Sequence, residues 1–558
     1  MNTGQVKTEA ADPGRVFCGA TVWHGARTEP ARRWLWIAGG RIREVGDGAP
    51  PPGVPRTELD GCHILPGLVD AHRHFTTCSV LPLCGDAAGW RSKTEALEAV
   101  AAAHAAHADA DAWLVFFAMD HTRWHSGWAP TAAELASVAP GRAVLLCDIT
   151  LHRGVVSARA FEEAGLAACL PADGFADIER DAGGRPRGMV WERAFGRALA
   201  AALRARTRGM DGVARRRLFD AEARRLLAEG HVHVHDIGLA MDDQRALAEW
   251  HANTPLRLSW SVASRYGLLE PPAFDEDRDV PSRHAPRSVK FFLDGAHRCA
   301  ACLPVGALLI ATRMLGASVL RQRSLNPLRA SREMGFVVRG GHVHLPHLRF
   351  ADADALAARA RPYVEAGYRL RLHALGNSAV VTAAEVIRAL GAGPQATIEH
   401  ALAMAPDDFA PVVAAGALVS LQTGFIPHYA DAIRQQGLIP YLAPFPLRSL
   451  IDRGVACAIS SDAPCGPSNP LFNMRRAVDR EDEAGQRLAP EQAVSPAEAV
   501  RAASIGGLAA LGIVSHGLSA GEAADFVIGR GDPFDEATTV AATWIDGTPA
   551  WTRDATPP

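Results

Sequence analysis

The sequence predicts an α/β protein: a TIM-like (β/α)8 barrel accompanied by a small β-sandwich composed of the two ends of the chain. Apolar runs rich in β-branched residues alternate with stretches rich in alanine, leucine and arginine, and the apolar runs number eight. Short strand-like runs separated by turn residues occupy 15–65 and 515–558. Neither of these two end segments is long enough to bury a sheet alone, so we expect them to combine.

Eight runs have the length and composition of buried strands. Helical stretches such as 93–108 and 215–230 lie between them, which is the alternation that a parallel barrel requires. A doubly wound open sheet is the alternative, but no GxGxxG pattern follows the first run. The eight runs are 68–74, 143–149, 231–237, 288–294, 368–374, 396–401, 417–422 and 456–462.

The chain has 558 residues, which favours one large domain beside a smaller one. We divide it into 1–65, the N-terminal part of the composite sandwich, 66–514, the barrel, and 515–558, the C-terminal part of the sandwich. The barrel segment carries a long insertion around 295–350. Its most apolar stretch, 302–320, is interrupted by Pro304 and Arg313. This pattern favours a buried helix or a lid over a membrane span.

The overall composition limits the partners of the protein. Its formal net charge is −3 without any basic block, so no nucleic-acid partner is expected. The first 17 residues lack an apolar signal region, and we expect neither secretion nor a membrane partner. Ten scattered cysteines are typical of the reducing cytoplasm. We therefore expect a cytoplasmic protein with a small-molecule substrate, and the composition leaves a homo-oligomer open.

The stretch "PGLVDAHRHF", 66–75, places two histidines at the end of the first run. Residues i and i+2 of a strand point to one face, so the imidazoles of His72 and His74 would project side by side. Such a pair is costly to bury and well suited to hold a metal. Catalytic groups of a barrel come from the C-terminal ends of its strands. Four further candidates at or near such ends are Lys290, His373, His400 and Asp462.

These stretches carry a resemblance to a known family. "LPGLVDAHRHF", "VKFFLDGA", "LRLHALGNSAV", "TIEHAL" and "ISSDAPCGPSNPLF" resemble the amidohydrolase superfamily, and most of all its branch of large hydrolases similar to N-substituted formamide deformylase (amidohydrolase family 3). The resemblance extends over 129–166, 183–192 and 518–534, and so runs along nearly the whole chain. It implies a metal-dependent hydrolase barrel beside a small sandwich built from both termini, in agreement with the division above.

The resemblance also implies a role for each histidine and for the lysine. His72 and His74 match the HxH motif that binds the more buried metal. His373 and His400 match the histidines of strands five and six, which bind a second metal. Lys290 matches the lysine of strand four, which is carboxylated and bridges the metals in family members that hold two. A bare ammonium group would be repelled by a dication, whereas a carboxylated lysine offers an anionic oxygen ligand.

Asp462 matches the aspartate of strand eight, which binds metal and acts as general base. Divalent metals lower the pKa of a bound water and polarise a carbonyl, and a neighbouring carboxylate can take the proton of that water. Imidazole ligands suit zinc and similar ions. The expected cofactor is therefore a divalent metal, first of all zinc, with one or two ions per chain and a carboxylated Lys290 where there are two.

A second group of residues is expected near the substrate. His152, in "DITLHRG", aligns with a family histidine beside the substrate, and Glu192, in "MVWERA", is a candidate for the same pocket. The run "HVHVHD" puts His231, His233 and His235 on one face of a strand. Only His235 is near enough to the C-terminal end to reach a substrate, so His231 and His233 are interpreted as residues of the barrel interior.

The chain departs from the family pattern in places where a substrate would bind. Asn377 stands where an aspartate is frequent, and Thr423 stands where a proline is usual. The stretch 295–345 differs most. Its end overlaps "GGHVHLPH", 340–347, which contains a second HxH motif and which we interpret as a loop.

The metal-binding pattern and the resemblance together predict a hydrolase. It would cleave a non-peptide C–N bond of an amide, an N-formyl amine or an N-acyl amine by means of metal-activated water. A deaminase or a cyclic-amide hydrolase on the same metal core is one alternative. A non-catalytic binding protein on the same fold is another, which the loss of a ligand would favour. All six expected ligands are present.

Overall fold

The computed structural model of the protein describes most of the chain. The described residues are 13–25, 29–107, 109, 111–124, 128–169, 177–264, 272–296, 299–322, 335–345, 348–350 and 352–554. The first 12 residues, which bear on the expectation about secretion, lie outside them.

Eight parallel strands form the central sheet, in the same order in space as along the chain. Backbone hydrogen bonds join the last strand to the first, from Asp462 N to His72 O (2.8 Å) and from His74 N to Ala463 O (2.9 Å), and so nearly close the barrel. We number the barrel strands one to eight. They are Leu68–Arg73, His231–Ala240, Arg257–Ala263, Ser288–Phe292, Arg369–Ala374, Ala396–His400, Leu418–Leu421 and Cys457–Ile459.

Seven of the eight expected runs belong to this barrel, and one was assigned wrongly. The run 143–149 forms a strand, Val144–Asp148, in a separate sheet of six strands. Barrel strand three is instead Arg257–Ala263, whose Ser259 and Ser261 bind His235 in the barrel interior. These inward polar residues hide the strand from a search for apolar runs. The separate sheet consists of Gly85–Asp86, Leu114–Met119, Val144–Asp148, Arg153–Val156, Ile178–Arg180 and Pro186–Trp191.

Helices follow most barrel strands, and several begin at the residue types that cap helices. The hydroxyl of Thr131 accepts from the backbone N–H of Glu134, whose carboxylate accepts from the backbone N–H of Thr131, and this capping box starts the helix Ala132–Val138. The other helices are Phe75–Val80, Lys93–Ala106, Ala158–Glu163, Glu192–Thr207, Gly212–Ala228, Met241–His251, Gly306–Gln322, Ala353–Glu365, Asn377–Leu390, Phe409–Ala415, Ile426–Gln436, Leu447–Ile451, Pro470–Val478, Pro496–Arg501 and Gly507–Ala510.

Strands from both ends of the chain build two further sheets. Their apolar side chains share one buried cluster, in which the ring of Phe17 lies 5.3 Å from that of Phe526 and 5.2 Å from that of Trp544. The first sheet consists of Arg15–Cys18, Trp34–Ala38, Arg41–Gly46 and Arg56–Glu58. The second consists of Thr21–Val22, Ala31–Arg32, Cys62–Pro66, Phe526–Arg530, Thr539–Ile545 and Thr548–Thr552.

The stretch between barrel strands four and five forms a three-stranded antiparallel sheet and a helix, Gly306–Gln322. Leu309 and Leu320 of this helix are 72% and 80% exposed, which contradicts the first of the two expected forms, a buried helix; the lid stays a prediction. The three strands are Ala301–Pro304, Val337–Arg339 and His342–Leu345. The expected loop over 340–347 instead contains the strand His342–Leu345, whereas His347 is outside the described residues.

None of the helices in the described part of the chain combines the length and the apolarity that a membrane span needs.

Candidate metal centre

His72, His74 and Asp462 meet at the C-terminal ends of barrel strands one and eight. Nε2 of His72 lies 3.2 Å from Oδ1 of Asp462, and Nε2 of His74 lies 3.1 Å from the same oxygen. All three side chains are buried, and one potential ligand atom from each lies within 4.8 Å of the others. Two imidazoles and a carboxylate at such distances can hold a divalent metal.

Lys290, His373 and His400 bring three more potential ligand atoms to the same end of the barrel. The ring of His400 lies 4.8 Å from that of His72 and 4.5 Å from that of His373. All three side chains are at least 96% buried. Among the described residues, no hydrogen-bond partner exists for Nζ of Lys290 or for Nε2 of either histidine.

Three buried atoms without hydrogen-bond partners lie in one place, as expected of a metal site. An unsatisfied buried polar group costs free energy, so native proteins leave few of them without a reason. Here the three unsatisfied atoms belong to three of the six side chains expected to bind metal. The donor set therefore suits one divalent ion and offers ligands for a second.

Burial sets the protonation of these groups. It lowers the pKa of His400 to about 3, that of His373 well below its usual value and that of Lys290 to about 8. Burial alone would raise the pKa of the Asp462 carboxyl. Its contacts with His72 and His74 outweigh burial and hold the pKa of this carboxyl well below its usual range. Neutral imidazoles and an ionised carboxylate are the forms that bind a metal.

Two buried residues that the sequence analysis missed orient the histidines. Nδ1 of His72 donates to Glu399 (2.7 Å), and Nδ1 of His400 donates to the amide oxygen of Gln422 (2.8 Å). Each bond leaves Nε2 of its ring with a lone pair directed to the centre. The signal for Glu399 was its place in "TIEHA" directly before His400. Alternation along a strand would put them on opposite faces, but His400 has φ of +79°.

Asp294 is a third missed residue, and it fixes the chain behind His373. Its carboxylate accepts from the backbone N–H groups of Ala300, Leu375 and Gly376 at 2.9 to 3.0 Å. Its Oδ1 lies 3.7 Å from Nε2 of His373. Burial raises the pKa of Asp294 to about 7. Asp294 stands in the motif "VKFFLDGA", from which the sequence predicts a role for Lys290 alone.

The aspartate that precedes the two histidines in the sequence is Asp70, and it has a structural role. Its carboxylate accepts from the backbone N–H of Ser461 (3.0 Å) and from the hydroxyl of Ser461 (2.5 Å). Barrel strand one is thereby tied to the loop that carries Asp462. Asp462 itself has φ of +53°, in the left-handed region that non-glycine residues rarely adopt. Such strain is typical of functional positions that the surrounding structure holds in place.

His152 and Glu192 form a buried pair next to the centre. Nδ1 of His152 donates to Glu192 (2.9 Å), and the imidazole ring lies 4.9 Å from that of His373. Arg349 adds a cation 3.3 Å from the same carboxylate, a contact that the sequence analysis did not foresee. Gly295 leaves the space for Glu192, since a Cβ there would lie 1.8 Å from Oε1 of Glu192.

His235 lies in the barrel interior with both ring nitrogens engaged. Nδ1 binds the hydroxyl of Ser259 and Nε2 that of Ser261, both at 2.8 Å. His235 therefore has no ring nitrogen left for a substrate, and these contacts give its expected substrate role no support. His233 and His231 line the interior as well.

The fold and the centre together define a class of protein. A nearly closed eight-stranded parallel barrel carries histidines, an aspartate and a lysine at the C-terminal ends of its strands. This is the architecture of metal-dependent hydrolases of the TIM-barrel type.

Comparison with known proteins specifies the family. Residues 57–550 match the amidohydrolase family, and the chain belongs to that family. It is 26% identical to the N-substituted formamide deformylase of Arthrobacter pascens, over 92% of this chain and 93% of the relative. It is 24% identical to the putative amidohydrolase YtcJ of Bacillus subtilis strain 168, over 86% of this chain and 87% of the relative.

Solved structures show the same fold. The crystal structure of an uncharacterized metal-dependent hydrolase from Pyrococcus furiosus matches with a TM-score of 0.62 at 18% identity, over 93% of this chain and all of the other. The corresponding structure from Pyrococcus horikoshii OT3 matches with a TM-score of 0.64 at 18% identity, over 93% and 98% of the two chains.

Proposed function

We propose that the protein hydrolyses a non-peptide C–N bond in an amide, an N-formyl amine or an N-acyl amine. The observation that carries this proposal is the cluster of His72, His74, His373, His400, Lys290 and Asp462 with its three unsatisfied atoms. The relation to an N-substituted formamide deformylase supports the choice of bond. The intact set of six ligands argues against a non-catalytic binding protein.

The six side chains would hold one or two divalent ions, with zinc the first candidate. When bound, such an ion lowers the pKa of water and polarises a carbonyl oxygen. A second ion would require Lys290 as a carboxylated, bridging ligand. The pKa of Lys290, lowered by burial to about 8, supports this role, because the neutral amine is the form that reacts with carbon dioxide.

Asp462 is the group that would move the proton. Its carboxylate is ionised at neutral pH and takes a proton from the attacking water as the oxygen bonds to the carbonyl carbon. It then delivers this proton to the nitrogen as the C–N bond breaks. The products are a carboxylic acid and an amine, so the water is fully accounted for.

His152 would contact the substrate, positioned by Glu192. The bond from Nδ1 to Glu192 fixes the ring and leaves Nε2 as an acceptor for an N–H or O–H group of the substrate. Arg349 neutralises the buried carboxylate at the same oxygen, Oε2. A substrate role for His235 is not part of this proposal.

Replacing His152 with asparagine is expected to lower kcat/KM by about 10²-fold, the usual cost of losing one positioned polar contact to the reacting group. The metal content should stay unchanged, since His152 is not among the proposed ligands. The exposed His107, changed to asparagine, is the matched control. A full kcat/KM in the His152 variant would exclude the substrate role.

The metal content tests the proposed centre directly. Plasma mass spectrometry on protein purified without chelator or added metal should find about two zinc ions per chain in the wild type and about one or fewer in Lys290→Ala. Lys93→Ala is the matched control, because Lys93 lies at the surface in an ion pair with Glu134. Equal metal content in all three proteins would rule out Lys290 as a ligand.

The reaction is tested on the same preparations. Release of amine from a panel of N-formyl and N-acyl amines is expected from the wild type and not from His72→Ala. Metal-loaded wild type that releases ammonia from amino-substituted rings, and no amine from any amide, would favour the deaminase alternative.

We infer that the two sheets from the chain ends form the small β-sandwich, with 1–65 and 515–558 as its parts and 66–514 as the barrel. The shared cluster around Phe17 supports this division. A cytoplasmic location is supported by the ten cysteines, none of which forms a disulfide in the described part of the chain. A small-molecule substrate follows from the proposed reaction.

A further inference from the structure

A second cavity lies at the opposite end of the barrel from the metal centre. Its volume is about 310 Å³, at the lower end of the range for small-molecule sites. One wall comes from the N-terminal ends of barrel strands one to three, with Gly67, His233 and Arg257. The facing wall comes from 504–525, between the barrel and the sheets of the chain ends. None of the residues assigned to the metal centre lines this cavity.

Most charges around this cavity are already paired. Arg257 contacts Asp525 and donates to Asp546 (2.8 Å). Glu522 accepts from the backbone N–H of His516 (3.0 Å) and from the hydroxyl of Ser515 (3.3 Å). Arg283 also lines the cavity, and it forms no ion pair with any residue in the described part of the chain.

A buried histidine adds an unsatisfied ring nitrogen. His233 lines the cavity and is only 1% exposed. Its Nε2 binds the hydroxyl of Ser259 (2.9 Å), while Nδ1 has no hydrogen-bond partner among the residues described. Burial lowers the pKa of His233, so the ring is neutral and one tautomer carries the proton on Nδ1. A buried donor of this kind calls for an acceptor.

The remaining lining is largely apolar. Ile505, Leu508 and Ile513 line the cavity together with Val514, which is 83% exposed. An aliphatic wall beside an unpaired guanidinium and an unsatisfied imidazole would complement a molecule with an apolar body and one anionic head.

We propose that this cavity binds a small organic carboxylate with an aliphatic chain. The carboxylate pairs with Arg283 and accepts from Nδ1 of His233, and the chain packs on Ile505, Leu508 and Val514. The site does not depend on the reaction at the metal centre.

Calorimetric titration of the metal-loaded protein with hexanoate tests the proposal. One saturable site per chain with a dissociation constant below about 1 mM is expected, and the neutral hexanamide should bind at least about tenfold more weakly. Arg283→Gln should weaken hexanoate by at least about tenfold, and Arg185→Gln, at an exposed arginine on a distant turn, should leave it unchanged.

A second variant separates this cavity from the metal centre. Val514→Trp should block the rim and abolish hexanoate binding, whereas Val213→Trp, at another exposed valine, should not. Both positions are at the surface, so neither change threatens the fold. The proposal is overturned if hexanoate does not bind, if hexanamide or hexylamine binds as tightly, or if binding survives both Arg283→Gln and Val514→Trp. Binding that survives both but is lost in His72→Ala would assign the carboxylate to the metal centre.

Discussion

Asp462→Asn is expected to lower kcat by about 10³-fold or more, measured with saturating metal and substrate. General-base catalysis contributes about 10²- to 10⁴-fold, and an amide of the same shape cannot take the proton of the attacking water. Since Asp462 also approaches both histidines of the HxH pair, the variant should bind metal more weakly as well. Saturating metal separates this effect from the loss of the base.

The lowered pKa of Asp462 also predicts how the activity depends on pH. His72 and His74 hold its pKa well below the usual range, so the group is already a carboxylate over the whole neutral range. Protonation of Asp462 should therefore not lower the activity of the wild type until the pH is well below the range in which carboxylates ordinarily titrate. A loss of activity near neutral pH would belong to another group.

Asp431→Asn is the matched control for Asp462→Asn. Asp431 is 80% exposed and pairs with Arg434 at the surface, so its loss should leave kcat unchanged. If the Asp462 variant kept more than about a tenth of the wild-type kcat with saturating metal, another residue would have to be the base.

The barrel and the histidines at the ends of its strands could be predicted from the sequence, because both depend on local patterns. Strands such as Leu418–Leu421 are short and mostly apolar, and a histidine at the end of a strand, such as His400, is visible in the printed chain. Barrel strand three failed this test, since Ser259 and Ser261 give it polar residues on its inward face. The run 143–149 passed the test although its strand belongs to another sheet.

The residues that support the centre were harder to foresee. Glu399 and Gln422 contact histidines of other strands, and Arg349 reaches Glu192 from far along the chain. Such partners follow from the register of neighbouring strands and from loop paths, neither of which leaves a local signal. The left-handed backbone at His400 removes even the alternation that would separate it from Glu399.

Glu399→Gln is expected to have the largest effect on stability, about 3–5 kcal/mol of the free energy of unfolding. Glu399 is completely buried and pairs with Arg371, which is 1% exposed. Removing one partner of such a pair leaves the other charge buried without compensation. Arg371 also donates to the backbone oxygens of Ala71 and Ala510, and these bonds keep it in place when its carboxylate is gone. Urea unfolding of the wild type and the variant measures the difference.

The pH dependence of that difference has a definite sign. Burial alone would raise the pKa of Glu399, but Arg371 and His72 lower it below its usual value. A carboxylate with a depressed pKa stabilises the fold above its unfolded pKa, about 4.3, and this contribution is lost as the pH falls. The gap between wild type and Glu399→Gln should therefore be full at pH 7 and narrow below about pH 4. A gap independent of pH would mean that packing, and not the charge, is responsible.

The same substitution separates structure from metal binding. Glutamine can still accept from Nδ1 of His72 through its amide oxygen, but it is a weaker acceptor than a carboxylate. The affinity for metal, measured by competition with a chelator under conditions where both proteins are folded, should fall by about 10- to 100-fold. Glu483→Gln is the control, because Glu483 forms a comparable pair with Arg123 at the surface. Lower stability with unchanged metal affinity would show that Glu399 matters only as the ion-pair partner of Arg371. It would also show that His72 needs no hydrogen-bond partner to present its Nε2 to a metal.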